Sequence, residues 1–384
     1  MPDTATVRAF LEPAQLELAQ RVDEFARREI APLPEPPDDD AARAQARDLL
    51  RRIGQAGWYA PIADQRLRDC CLIRETLAAT SPLADAVFAL QALATLPILL
   101  AGSEALRRRW IPAVLSGEAM GAFAMTEPGA GSDVGAIGTT ARADGAHYIL
   151  DGTKTLISNG GLADFYTVFA STDPAAGSKG LSCFVVPAQT PGLRFVRPLI
   201  LSSPHPLGEM AFAGCRVPAT NRLGEEGTGF PLGLTTLDRL RPTVGAAACG
   251  MATRAFEEAF AHATSRRQFG HPLADFQLVQ EKLARMATDL AAARLLVYRA
   301  AWEQDRGAQR ITLEAAMAKA FATEAAQRIV DDAVQILGGQ GVLAAHPVDR
   351  LYRAIRALRI YEGTTEIQHL VIAGQLRKAA GGQP

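Results

Sequence analysis

Along most of this chain apolar residues recur at intervals of three and four, but between Thr139 and Val217 they stop doing so. That change of period constrains the fold more than any other feature, because a helical pattern does not settle as a strand. Within the interval the apolar runs are short: Thr139-Thr140-Ala141-Arg142-Ala143, His147-Tyr148-Ile149-Leu150, Tyr166-Thr167-Val168-Phe169 and Ser182-Cys183-Phe184-Val185-Val186. Turn residues bound them, such as Asp144-Gly145, Asp151-Gly152 and Pro191-Gly192. Strands of an antiparallel sheet or barrel look like this. Before the interval, Leu16, Ala19, Val22, Phe25 and Ala26 make an amphipathic stripe. Ala31–Asp40 holds four prolines and four acids and reads as a loop. A second helix follows over about 41–55. After it, helical periodicity returns from about Phe230. Phe276, Val279, Leu283, Met286, Leu290, Ala293 and Val297 line up as a bundle helix would bury them, and Gly338-Gly339 closes another long helix. The order is α, then β, then α. No internal repeat is present, and the only low-complexity piece is the tail Ala379–Gly382.

Composition excludes several classes of function. The 384 residues exceed a single compact core, and 48% hydrophobic with 21% charged residues is the make-up of a globular protein. Forty Lys+Arg against 41 Asp+Glu leave no basic excess for nucleic acid. Five cysteines without a CxxC spacing argue against a disulfide framework and a thiolate zinc site. Six scattered histidines predict no metal site. The segment Met1-Pro2-Asp3-Thr4 does not open a signal peptide. Ala86–Ala101 is interrupted by Gln91, Thr95 and Pro97, which predicts a buried core helix, no membrane insertion and a cytoplasmic protein. There is no GxGxxG, GxSxG or HExxH, and Gly152-Thr153-Lys154-Thr155 lacks the first glycine of a phosphate loop.

Three clusters carry chemistry. Ala124–Asp133 (AMTEPGAGSD) offers glycine N–H groups with the hydroxyls of Thr126 and Ser132 for a ligand, or is a glycine-rich hinge. Gln335 with Gly338-Gly339-Gln340-Gly341 and Arg350, Arg353, Arg356 and Arg359 reads by itself as a helix cap and a solvated basic face. In Ile360–Gln368 (IYEGTTEIQ), Glu362 lies between Tyr and Gly. Burial there would lift its pKa from about 4.3 toward neutrality, as a general base requires. A helix N-terminal acid is the alternative.

Together these clusters resemble the acyl-CoA dehydrogenase family over nearly the whole chain. The first is similar to its Met-Thr-Glu-x-x-Ala-Gly-Ser-Asp signature; Lys154–Gly161 (KTLISNGG) resembles its flavin-facing strand. Arg266-Arg267-Gln268-Phe269-Gly270, Gln335–Gly341 and Tyr361-Glu362-Gly363-Thr364 complete the set. The resemblance implies an α+β multidomain fold: an N-terminal helical domain (1–122), a middle antiparallel β-barrel-like domain (123–230) and a C-terminal four-helix bundle (231–384). It implies FAD as cofactor and α,β-dehydrogenation of an acyl-CoA thioester to a trans-2-enoyl-CoA. Glu362 is then the base for the α-proton and its N–H a donor to the thioester oxygen, while a hydride passes to flavin N5.

By the same resemblance Phe123, Met125, Thr126, Ser132, Leu156 and Ser158 contact the flavin and pyrophosphate, Ser132 also lying near the pantetheine. Arg266 and Gln268, with Gln335 and Gly339, hold the FAD of a neighbouring subunit, which implies a homotetramer, and Phe276, Gln277 and Gly338 are further cofactor-binding positions. Thr364 and Glu366 match the adenosine end. Asp238, Arg241, Tyr361 and Gly363 match substrate positions, Arg241 holding a phosphate-bearing moiety or else forming a surface ion pair with Asp238. An electron-transfer flavoprotein is the expected acceptor. Leu156 stands where an aromatic ring usually covers the flavin. Ile62–Arg66 replaces an acidic-aromatic-diglycine loop, Ala345 and Ala354 replace acids, and Gly374 replaces an arginine. These departures keep open a carrier-protein-bound acyl substrate, or an oxygen-using oxidase or monooxygenase relative. A helical scaffold that has lost its cofactor is the non-enzymatic alternative.

Overall fold

A computed structural model describes residues 3–381; Met1, Pro2 and the Gly382 end of the low-complexity tail lie outside the described residues. The chain divides into two compact units. One comprises Glu35–Gln65 and Ala86–Leu237; the other takes the chain up to Pro34, Arg66–Asp85, and everything from Asp238 onward.

The helices of the N-terminal third are α1 (Pro13–Phe25), α2 (Asp39–Gln55), α3 (Ala60–Ala63), α4 (Leu67–Thr80), α5 (Pro82–Ala101) and α6 (Glu104–Leu115). The acid-rich end of the proline loop caps α2, where the Asp38 carboxylate accepts from the Ala41 N–H at 2.9 Å. Helix α5 is apolar and long enough to cross a membrane by composition, with mean hydropathy 1.9, yet 67% of that stretch is buried in protein. Its polar groups are used: Gln91 Nε2 donates to Ala119 O, and the Ala94 carbonyl accepts from Thr167 Oγ1, both at 2.8 Å. It is a core helix.

The strands are β1 (Gly121–Ala124), β2 (Thr140–Asp144), β3 (His147–Ser158), β4 (Phe165–Ser171), β5 (Leu181–Pro187), β6 (Leu193–Pro198), β7 (Leu207–Pro218) and β8 (Arg222–Leu223). They form one sheet in the order β6-β7-β3-β2-β4-β5-β8, with β1 added beside β4. The expected antiparallel barrel-like domain is corrected here. The sheet is open, ending at β6 and β8, and it is mixed, because β1 and β2 run parallel to β4. Hairpin turns are local signals; parallel partners meet only through a long crossover and leave no turn signature. Strands β4 and β5 read as continuous apolar runs because both faces are covered. Phe165, Phe169, Cys183 and Val185 pack with Ala94, Ile98 and Trp110, while Tyr166, Val168, Phe184 and Val186 pack with Met210, Phe212 and Val217.

The second unit is helical. Its C-terminal part contains α7 (Gly229–Ser265) from Asp238 on, α8 (Gln277–Asp305), α9 (Thr312–Leu337), α10 (Pro347–Leu358) and α11 (Thr365–Ala379). A two-stranded hairpin, β9 (Arg267–Gln268) and β10 (His271–Pro272), precedes α8. Val244, Met251, Leu283, Met286, Leu290, Val297, Ile329 and Leu351 share one core with many alanines, which let the helices approach closely. At Gly250 a Cβ would lie 2.0 Å from the Glu75 carbonyl, so α4 and α7 touch backbone to backbone. Gly338, at φ +59°, ends α9 as the sequence predicts.

Candidate active site

Glu362 sits in the turn between α10 and α11, at φ +54°, followed by Gly363 at φ +93°. Left-handed backbone at a glutamate is uncommon and must be held from outside. The Glu362 carbonyl accepts from Arg241 Nε at 3.1 Å and Gln368 Nε2 at 3.3 Å. The Gly363 carbonyl accepts from Lys319 Nζ at 2.7 Å and Gln368 Nε2 at 3.1 Å. The positive φ at residue 363 favours glycine, and a Cβ there would also crowd Gln368 Nε2 at 2.4 Å. Thr364 caps α11, its hydroxyl accepting from the Ile367 N–H.

The Glu362 carboxylate is prepared rather than satisfied. Its Oε2 is buried and makes no hydrogen bond among the described residues, and its own N–H finds no acceptor there. Burial raises its pKa above the usual carboxylate range, against the pull of Arg74, Arg241 and Lys319, and Asp85 raises it further. Burial also draws the Lys319 ammonium down to about 8. Arg74 and Asp85 form a buried bidentate pair at 2.7 and 2.9 Å, and Arg74 Nη1 donates to Thr243 Oγ1 at 2.8 Å. Burial lifts the Tyr361 hydroxyl well above the ordinary phenol range, with Arg74 beside it pulling the other way. A buried carboxyl with a raised pKa and an unpartnered oxygen makes Glu362 a candidate functional group.

Arg241 pairs with Asp238, but not at the surface: it is only 5% exposed and turns its Nε to the Glu362 carbonyl.

The six positions expected at the flavin and pyrophosphate, Phe123, Met125, Thr126, Ser132, Leu156 and Ser158, all lie in the sheet-bearing unit. Thr155 N–H donates to Thr126 O at 3.0 Å, which ties the 125–133 loop to β3. The fully buried Lys154 ammonium reaches Met125 O at 3.1 Å and the Glu127 carboxylate at 2.7 Å. Glu127 in turn accepts from the N–H groups of Gly138 and Thr139 at 2.7 and 3.0 Å. A register shift between Lys154 and Ile157 puts Leu156 at φ +55° with its side chain 56% exposed, and Ser158 follows. Ser132 is exposed, and nothing lies within 4 Å of a Cβ placed on Gly129 or Gly131. Exposed Leu156, open glycine N–H groups and two hydroxyls suit a flat aromatic ring system joined to a pyrophosphate. Phe123, half-buried, packs its ring on Phe169, centroids 4.9 Å apart.

The other expected positions are spread over the helical unit. Arg266 precedes an exposed hairpin, Gln268 lies in its first strand, and Phe269 is at its tip, 90% exposed. Phe276 caps α8 and Gln277 begins it. Gln335, Gly338 and Gly339 are exposed where α9 ends, and Glu366 is exposed in the first turn of α11. Sequence reasoning missed Lys319, Gln368, Arg74 and Asp85 around Glu362. It also missed His205, whose Nε2 lies 2.7 Å from Ser158 Oγ and whose pKa burial lowers to about 4. Lys319 and Arg74 are polar residues amid apolar helix faces, a signal that was present; His205 in its Pro-His-Pro loop offered none.

Comparisons with known proteins agree with this architecture. Residues 12–118 match the model for the acyl-CoA dehydrogenase N-terminal domain, 122–215 the middle domain and 227–376 the C-terminal domain. Human mitochondrial short-chain specific acyl-CoA dehydrogenase is 45% identical over 290 residues, 74% of this chain and 69% of that protein. The solved butyryl-CoA dehydrogenase from Megasphaera elsdenii superposes with a TM-score of 0.89 at 33% identity, covering 95% of this chain and 98% of that one. A chain from the structure of the electron transferring flavoprotein of Acidaminococcus fermentans gives 0.91 at 34%, with the same coverage. The prolyl acyl carrier protein oxidase AnaB gives 0.88 at 30%, covering 95% and 99%.

Proposed function

We propose the following for this chain, which belongs to the acyl-CoA dehydrogenase family of FAD-dependent oxidoreductases acting on a CH–CH bond: it converts an acyl-CoA thioester to its trans-2-enoyl-CoA, with Glu362 as the base. FAD, when bound, supplies the acceptor for the hydride that leaves the β-carbon, at flavin N5. Everything else falls to the protein. Glu362 Oε2, buried and without a hydrogen bond among the described residues, is the observation that carries the reading. It takes the α-proton as the double bond forms, and its raised pKa narrows the gap to that very weak acid. The Glu362 N–H is free to bind the thioester oxygen, where charge develops. Arg241, Lys319 and Gln368 hold the turn so that carboxyl and N–H keep one geometry.

The exposed Arg266, Gln268, Gln335 and Gly339 hold the FAD of a neighbouring subunit in a homotetramer. Reduced enzyme passes its electrons to an electron-transfer flavoprotein, a partner supported by the Acidaminococcus neighbour. Anaerobic addition of acyl-CoA thioesters of graded length should bleach the flavin, and Glu362→Gln should abolish the bleaching. Bleaching that survives the substitution overturns the assignment of the base. The likeness to a carrier-protein oxidase supports a second reading, in which the acyl group arrives on a carrier protein. Turnover of one acyl group presented on CoA and on a carrier decides between them.

A further inference from the structure

Helix α10 ends at Leu358 and α11 begins at Thr365, and the turn between them carries Glu362 near its centre. Backbone closes the neck of that turn, where the Thr365 N–H donates to the Arg359 carbonyl at 3.1 Å. The side chains of the same two residues then converge on a third helix. Glu324 of α9 accepts on one oxygen, Oε1, from Arg359 Nε at 2.7 Å and from Thr365 Oγ1 at 2.7 Å.

Neither bond is the cap that starts α11. That cap is the Thr364 hydroxyl, which accepts from the Ile367 N–H. As an ion pair alone, Arg359–Glu324 is partly exposed, with side chains 29% and 26% accessible, and such pairs contribute little to stability. Stability therefore does not account for both ends of the turn meeting on one oxygen. Held at one end, the turn could swing as a hinge. Held at both, it keeps the left-handed backbone of Glu362 and Gly363 from relaxing. Lys319, on the same helix, takes the Gly363 carbonyl. Helix α9 thus grips the turn at its neck and again beside Glu362.

We propose that Glu324 is a positioning residue for the base: by taking Arg359 and Thr365 on one oxygen, it pins both ends of the turn and so fixes where the Glu362 carboxyl stands. The inference rests on the reading of Glu362 as base and deepens it. Glu324 acts through the turn and not on the reacting atoms.

The FAD-loaded protein tests this in two ways. The first needs no substrate. Amide hydrogen exchange, read by mass spectrometry, should be about tenfold faster or more across residues 360–365 in Glu324→Ala, with α8 unchanged. The second is anaerobic stopped-flow reduction by whichever thioester of the graded series bleaches the native flavin fastest. The limiting rate in Glu324→Ala should fall about 10- to 100-fold, far more than the half-saturating concentration rises, with FAD content near native. A merely structural tie would lower the melting temperature and leave that limiting rate alone. Thr365→Val removes the hydroxyl at one end only and should show both effects more weakly, whereas Thr365→Ser restores the hydroxyl and should behave as native. Thr365→Val still decides if Glu324→Ala fails to fold. Native exchange across the turn, or a native limiting rate, in a folded variant overturns the inference. Failure of the base assignment shows separately, as acyl-CoA bleaching that persists in Glu362→Gln, an outcome on which the exchange result does not depend.

Discussion

Lys319 Nζ donates to the Gly363 carbonyl at 2.7 Å, so a buried ammonium on α9 holds the left-handed turn that carries Glu362. Gln368 is the other donor to that carbonyl and Arg241 braces the one before it. On the proposed reading of Glu362 as base, its geometry therefore depends on side chains contributed by other helices.

Lys319→Met keeps the length of the side chain and removes the donor. A weakened grip on a buried carbonyl costs about 1–3 kcal/mol of stability. A displacement of the carboxyl on the order of 1 Å should slow flavin reduction by acyl-CoA about 100-fold. FAD content should stay unchanged. Stopped-flow absorbance with a parallel thermal melt checks both; full-speed reduction would contradict the bracing role.

The raised pKa of Glu362 has a stability consequence of definite sign. Its folded pKa exceeds the unfolded one, so folding binds the proton more tightly. The stabilising contribution is complete below the ordinary carboxylate range and is lost as pH rises through the folded value. Glu362→Gln, which cannot ionise, should raise the melting temperature at pH 8 and leave it nearly unchanged at pH 4. In the native enzyme the rate of flavin reduction should climb with pH through a midpoint above the usual carboxylate value.

Breaking the Lys154–Glu127 pair should loosen the 125–139 segment. Glu127→Gln strands a fully buried ammonium, at a cost of roughly 3–5 kcal/mol. Burial raises the Glu127 pKa, but Lys154 and the N–H donors outweigh it and the net shift is downward. The support that Glu127 gives is therefore present above its unfolded pKa and is lost as pH falls through the lower, folded one. Flavin-to-protein absorbance after purification should drop in the variant, with a lower melting temperature.

His205 is neutral at neutral pH, with burial holding its pKa at about 4. The unfolded chain binds a proton there between about 4 and 6.5 that the folded protein does not, so stability rises with pH across that window. Melting temperatures of the native protein and His205→Gln should diverge through the window and run parallel above it. Removing the hydrogen bond to Ser158 altogether, in His205→Ala, should weaken FAD by about five- to tenfold in reconstitution of the apoprotein.

Several elements were legible because their causes are local. The stripe from Leu283 to Val297 is one face of α8, Gly338 terminates α9, and β4 and β5 show as apolar runs bounded by turns. The motif around Glu362 named the base candidate, since the Gly363 that its turn demands is adjacent in sequence. Closure and direction of the sheet were not legible: β1 and β2 choose β4 across long connections, and nothing local records that choice. The left-handed kink at Leu156 arises where β3 slips register against β7, which the composition of β3 does not announce.

By itself the sequence determined which segments coil and which extend, and it placed a carboxyl beside the glycine that a tight turn requires; neighbouring residues decide such things through period and backbone freedom. Only the tertiary structure decided what that carboxyl experiences. Arg74, Asp85, Arg241, Lys319 and Gln368 come from α4, α5, α7, α9 and α11, and packing alone brings their charges and donors to one turn. Electrostatic energy depends on distance through space and on exclusion of water, and neither is a property of position along the chain.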